Sequence, residues 1–155
     1  MIAAMADDAT KPRDNSIALQ IGRGVSRLMQ SLDSDCLFEF KLRTGRRADV
    51  IGLDRNGRFL IAEIKSSVAD YRADGKWRDY IGFCDSFYFA VAAGFPLHIL
   101  PEDCGVILAD GYGGDIVRPA PPMAMNASRR RALTLLFART AATRLMRLSD
   151  PLPDI

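Results

Sequence analysis

The chain is poor in the residues that build the commonest metal and disulfide sites. It has one histidine and three cysteines among 155 residues. Cys36, Cys84 and Cys104 are odd in number and widely spaced, which suits neither a disulfide framework nor a zinc site. Reduced thiols in a cytoplasm fit them best. His98 follows Pro96-Leu97 in a connector, where a structural role suits it better than catalysis. No apolar run is long enough to span a membrane. Asp7 and Asp8 stand where a secretory signal would carry a basic region and an apolar stretch, so such a signal is not expected. There is no internal repeat and no low-complexity tract. A large excess of one charge is also lacking: 21 Lys and Arg against 19 Asp and Glu give a formal net charge of +2, which by itself does not imply a nucleic-acid partner.

What is present is an ordinary globular composition, 48% apolar and 26% charged, in a length that suits one domain with a real core. Residues 1–14 are small and polar and read as a disordered tail, and 15–150 as a single domain. Arginine is clustered at Arg43, Arg46 and Arg47, at 129–131, and at Arg139, Arg144 and Arg147.

The most informative stretch runs from Arg46 to Lys65. Two β-favouring runs flank Asn56-Gly57, which predicts a hairpin. Asp49 interrupts the first run; Glu63 and Lys65 interrupt the second and, two apart, share a face. A two-residue Asn56-Gly57 loop would pair Asp49 with Ile64 and point it away from them. A three-residue loop, Arg55-Asn56-Gly57 with Gly57 left-handed, pairs Asp54 with Arg58 and Asp49 with Glu63. The three-residue loop is the expectation.

Elsewhere, Ile17, Ile21, Val25, Leu28, Met29 and Leu32 recur at helical spacing, predicting a helix over about 17–32 capped by Asn15 or Ser16. Gly22 and Gly24 weaken that helix by ~1 kcal/mol each relative to Ala, and close packing is the better reason for them than a phosphate. Cys36 to Leu42 alternates, placing Phe38, Phe40 and Leu42 on one strand face and Glu39 and Lys41 on the other. A second helix is expected over about 70–84, capped by Asp70, with Trp77, Tyr80, Ile81 and Cys84 inward. Ser86 to Ala92 reads as a strand buried on both faces, parallel after a crossover. Gly105 to Ala109 and Asp115 to Arg118 read as strands about the turn Asp110-Gly-Tyr-Gly-Gly114. Ser128 is the expected cap of a long last helix whose apolar stripe is Leu133, Leu136, Phe137, Thr140, Ala141, Leu145 and Leu148.

Two carboxylates and an ammonium on one sheet face call for a reason, because buried carboxylates repel and are costly to desolvate. A divalent cation relieves both costs, and magnesium needs only one or two carboxylates with its waters. Asp49, Glu63 and the Ile64 carbonyl are the expected ligands of Mg2+ or Mn2+. The ion would polarise a phosphoryl oxygen and activate water, while Lys65 orients that water or offsets charge on the phosphorane. This outlines phosphodiester hydrolysis. The plainer reading is a solvated salt-bridge face on an ordinary hairpin. Glu39 is a candidate further ligand, or an ion partner of Lys41 or Arg47.

The Asp, the spacer and the Glu-x-Lys on a hairpin resemble the PD-(D/E)XK nuclease superfamily, with Ala48 in place of the motif proline. Gly-Arg-Arg-Ala-Asp-Val, Ala-Glu-Ile-Lys-Ser-Ser-Val, Asp74-Gly-Lys-Trp-Arg-Asp-Tyr and Leu-Pro-Glu-Asp-Cys-Gly resemble, more closely, the MmcB-like DNA repair proteins. The resemblance covers about residues 17–148. It implies an α/β fold with a restriction-endonuclease-like αβββαβ core: a mixed four- to five-stranded sheet flanked by helices, plus a C-terminal helix. It implies a role in DNA repair and catalysis by Asp49, Glu63 and Lys65. Gln20 lies on the first helix, where related nucleases often place an acid, and Lys76 is a candidate contact to the scissile phosphate. Arg46 and Arg47 are candidate DNA-phosphate contacts, since charge neutralisation drives nucleic-acid affinity. DNA is the implied partner, and other repair proteins and a homodimer stay open. A DNA-binding repair module that does not cut, and a protein-interaction scaffold, are the alternatives.

Overall fold

A computed structural model describes residues 15–151, so the tail expected over 1–14 lies outside the described residues. The order is α1 (Asn15–Ser31), β1 (Ser34–Lys41), β2 (Arg47–Asp54), β3 (Phe59–Ile64), α2 (Val68–Ala73), β4 (Ser86–Val91), β5 (Gly105–Ala109), β6 (Gly114–Arg118) and α3 (Ala127–Ser149). Short 3₁₀ turns, Trp77–Tyr80 and Leu97–Ile99, lead into β4 and β5. All six strands form one sheet in sequence order. β3, β4 and β5 run parallel and the outer pairings are antiparallel. The expectation of four to five strands falls short because the Gly114–Arg118 return pairs with β5 in the same sheet.

The hairpin takes the three-residue loop. Asp54 donates its N–H to the Arg58 carbonyl at 3.0 Å, and Gly57 sits at φ +79°. The Asp54 carboxylate accepts from the N–H groups of Asn56 and Arg58 at 2.8 and 2.9 Å, which closes the turn locally. Arg130 of α3 holds it from outside, donating to the Gly57 carbonyl at 2.7 Å and forking onto Asp85 at 2.6 and 2.8 Å. The turn chemistry and the long-range lock thus agree on one register.

Helices cover both sheet faces. α1 lays Ile21, Val25 and Met29 on Val50, Ala62, Ala90 and Ile107. Gly24 permits the approach: a Cβ there would strike the carbonyls of Asp110 and Gly113, so packing accounts for this glycine. Ile17 and Leu32, expected in the stripe, are exposed at the helix ends. On the other face α3 presents Leu133 and Phe137 to Phe40, Phe59 and Ile61. The Phe137 ring lies 6.0 Å from both Phe40 and Phe59, and its truncation to Ala should cost about 3–5 kcal/mol. Trp77 joins this core, stacked on Phe87 at 5.2 Å.

Several local expectations are corrected. The helix expected over about 70–84 is only Val68–Ala73, because Asp74-Gly75 breaks it and Asp74 is extended. Its cap is Ser67, whose hydroxyl accepts from the Asp70 N–H at 3.0 Å, while the Asp70 carboxylate accepts from Ser66. Asn126, not Ser128, caps α3, accepting from the N–H groups of Ser128 and Arg129. Leu145 and Leu148 are exposed. Phe38 does not share a face with Phe40 and Leu42. It is 40% exposed and its ring abuts Gly22 on the α1 side, while Leu37 packs with Phe40. The alternation fails because Glu39 has φ +49°, in the left-handed region.

Candidate active site

The site forms where the regular ladder stops. The last β2–β3 rung is Val50 opposite Ala62, and the same register places Asp49 opposite Glu63. There the side chains replace main-chain partners. The Asp49 N–H donates to Glu63 Oε1 at 3.1 Å, and Asp49 Oδ2 accepts from the Ile64 N–H at 2.8 Å. On the other side, the β1–β2 ladder pairs Phe38 with Val50 and Phe40 with Ala48 but skips Glu39 and Asp49. Left-handed Glu39 turns away, and Arg144 of α3 donates to the carbonyls of Phe38 and Glu39 at 2.6 and 2.9 Å. The break in β1 and the acid in β2 are therefore one feature. It satisfies the main-chain groups that an interrupted ladder would strand.

Asp49, Glu63 and Lys65 are all buried, at 6%, 3% and 1% exposure. This excludes the solvated salt-bridge face. Burial, then the negative charge of Asp49, pushes the Glu63 carboxyl from 4.5 up to about 8. Lys65 Nζ is held by Asp74 Oδ2 at 3.0 Å. Burial raises the Asp74 pKa, but hydrogen bonds from the Lys76 N–H and Lys65 leave it net below its usual value. The Tyr80 hydroxyl donates to the Arg47 carbonyl at 2.8 Å. Burial, then the charges of Glu63 and Asp49, raises its pKa.

Sequence reasoning missed Asp74 and Tyr80 as members of this network. The Asp-Gly pair at 74–75 was the available signal, since it ends α2 and turns the chain back over β3. Tyr80 stands three residues after buried Trp77, a spacing that brings both inward.

The remaining candidates divide. Glu39 is exposed and pairs with Arg47 at 2.7 Å, the ion-partner role rather than that of a ligand. Arg46 pairs with Asp79 at 2.7 Å, so both arginines stand at the Asp49 end of β2 but carry acidic partners. Lys76 is exposed, two residues beyond Asp74, and its N–H donates to the Asp74 carboxylate. Gln20 is not brought to the site: it lies on α1, which covers the opposite sheet face, and packs against Gly111. In α3, Arg129 stacks over Phe83 and Arg130 binds Asp85, so those two arginines do structural work. The cysteines are unpaired. Among the described residues no helix is long and apolar enough to cross a membrane.

The donor set suits a hard cation: two adjacent buried carboxylates, one of which holds its proton to about 8 even with the Lys65 ammonium nearby. Among the described residues no group of three or more His, Cys, Asp or Glu side chains is arranged to hold a metal, so water would supply much of the coordination.

A family model described as DNA repair protein MmcB-like matches residues 5–152. A solved structure, the SPO1766 protein of unknown function from Silicibacter pomeroyi, superposes with a TM-score of 0.83. It is 40% identical, over 89% of this chain and 94% of that one. None of the curated proteins compared with the chain matches it.

Proposed function

This chain belongs to the MmcB-like family of DNA repair proteins, and we propose that Asp49, Glu63 and Lys65 form a divalent-cation-dependent site for phosphodiester hydrolysis in DNA. The observation that carries this reading is the burial of Asp49 and Glu63 opposite one another, with a buried ammonium two residues on. The element order α1-β1-β2-β3-α2-β4 and the Asp49, Glu63-Ile64-Lys65 spacing support a restriction-endonuclease-like core of the PD-(D/E)XK type. Asp49, Glu63 and the Ile64 carbonyl would hold Mg2+ or Mn2+, which when bound polarises a phosphoryl oxygen and lowers the pKa of water.

The chain's own residues supply the rest. The paired hydrogen bonds between Asp49, Ile64 and Glu63 fix both carboxylates on one rigid rung. Asp74 holds the Lys65 side chain in place, so that Nζ orients the attacking water or offsets charge on the phosphorane. Arg46 and Arg47, at the same end of β2, exchange Asp79 and Glu39 for phosphate oxygens when DNA arrives.

The test is incubation of pure protein with Mg2+ or Mn2+ and labelled single-stranded, nicked, flapped and branched DNA. The reading predicts cleavage of at least one substrate, abolished by Asp49→Ala. If wild type and Asp49→Ala behave alike on all of them, catalysis is wrong. A DNA-binding module that does not cut is the second reading, favoured by the Asp74 carboxylate that already engages the Lys65 ammonium. Salt-sensitive DNA binding with no metal uptake would support it.

A further inference from the structure

The β5–β6 turn combines a rigid frame with an exposed ring. Asp110 Oδ1 accepts from the N–H groups of Tyr112 and Gly113 at 2.8 and 3.0 Å. Arg27 of α1 donates to the Tyr112 carbonyl at 3.0 Å. The close seat at Gly24 presses α1 onto the same turn. Yet the Tyr112 side chain is 86% exposed, more than any other large apolar residue among the described residues. The turn therefore fixes where the ring stands, so a partner that packs on it meets a pre-ordered surface.

Two concave surfaces flank the ring. One, of about 400 Å³, is lined by Leu19, Gln20, Arg23 and Tyr112. The other, of about 480 Å³, lies toward Ala93 and Asp115. Charge separates them. Arg23 and Arg27 stand exposed on the α1 side, whereas the Asp115 carboxylate disfavours an anion on the other. The Asp110 carboxylate, shared by both, is engaged by the turn's own N–H groups.

Position adds a third point. β3, β4 and β5 are parallel neighbours, so Lys65 and Asp110, just past the ends of β3 and β5, lie at the same end of the sheet. Two strand spacings of about 4.8 Å separate those strands.

We infer that Tyr112 is a stacking platform for an unpaired base of single-stranded DNA, with Arg23 and Arg27 taking the adjoining phosphates. The inference rests on the DNA reading above and specifies the form of DNA bound. Base-on-ring stacking is indifferent to sequence, and the α1 arginines supply the charge that holds the backbone. Gln20, which does not reach the acidic site, lines this face and offers an amide to a base edge.

The test is fluorescence anisotropy in EDTA at low salt, with a labelled single-stranded 16-mer and the duplex of the same sequence. Tyr112→Ala should weaken single-strand binding by roughly 5- to 150-fold, and Tyr112→Phe should stay within about threefold of wild type. Arg23→Ala should weaken it and lower the salt slope by about one. Tyr112→Trp should keep affinity and show indole quenching on binding. Single-strand binding unchanged in Tyr112→Ala, or wild type binding duplex alone, overturns the inference and leaves the DNA reading standing. Wild type that binds neither DNA overturns both.

Discussion

Asp49 and Glu63 are joined by a hydrogen bond of 3.1 Å from the main-chain N–H of the first to the carboxylate of the second. The bond stands where a ladder bond would otherwise run. It commits the backbone of β2 and the side chain of β3 to one geometry, and it sets two buried acids side by side. Both the pH behaviour of the protein and its proposed chemistry follow from that pair.

The metal-free protein should lose stability as pH rises from about 4.5 to about 8, because folded Glu63 retains a proton across that window and the unfolded chain does not. Above it both states are ionised and the loss levels off, at an order of ~3–5 kcal/mol for a shift of this size. Urea unfolding in EDTA across the window measures it. Glu63→Gln should flatten the profile, and added Mg2+ should flatten that of wild type. A wild-type profile already flat in EDTA would contradict the pairing.

Gly57 offers a test of the hairpin free of packing effects. A Cβ there meets nothing within 4 Å, so Gly57→Ala pays only for its φ of +79°. The expected loss is about 1–2 kcal/mol by chemical denaturation. No loss would mean that the loop adopts another register.

Glu39 should invert the usual strand preference. In a regular strand Val is the better residue. At φ +49°, Glu39→Val should cost about 1–2 kcal/mol, while Glu39→Asn should be near neutral. The exposed ion pair with Arg47 adds little to either value. Thermal or urea melts of the two variants decide the order.

Asp74→Asn should destabilise by about 1–3 kcal/mol, since it leaves the buried Lys65 ammonium with a neutral partner. The cost falls below that of breaking a fully buried pair because the Asp74 side chain is 36% exposed. An unchanged midpoint in urea would show that Lys65 does not depend on Asp74 for its charge balance.

The hairpin was readable in the sequence because a turn residue and face parity both constrained it: only one loop length puts Asp49 beside Glu63. Strand types were readable for the same local reason, with Ser86–Val91 apolar on both faces and found between two parallel neighbours. What the sequence hid is what tertiary contacts decide. A glutamate gives no sign that it will take a left-handed conformation, and Glu39 does so where Arg144, over a hundred residues later, binds the freed carbonyls. Asp74 reaches the site because α2 is only six residues long and ends just before it. The resemblance implies a site role for Gln20 from its helix position alone, and the packing of α1 carries it to the opposite face.

The central claim is that Asp49 and Glu63 together hold a divalent cation. Titration of the protein with Mn2+, followed by the EPR signal of the free ion, tests it most directly. The account predicts uptake of one ion per chain, competed by Mg2+ and lost in both Asp49→Ala and Glu63→Gln. No uptake, or uptake that survives Asp49→Ala, would contradict it.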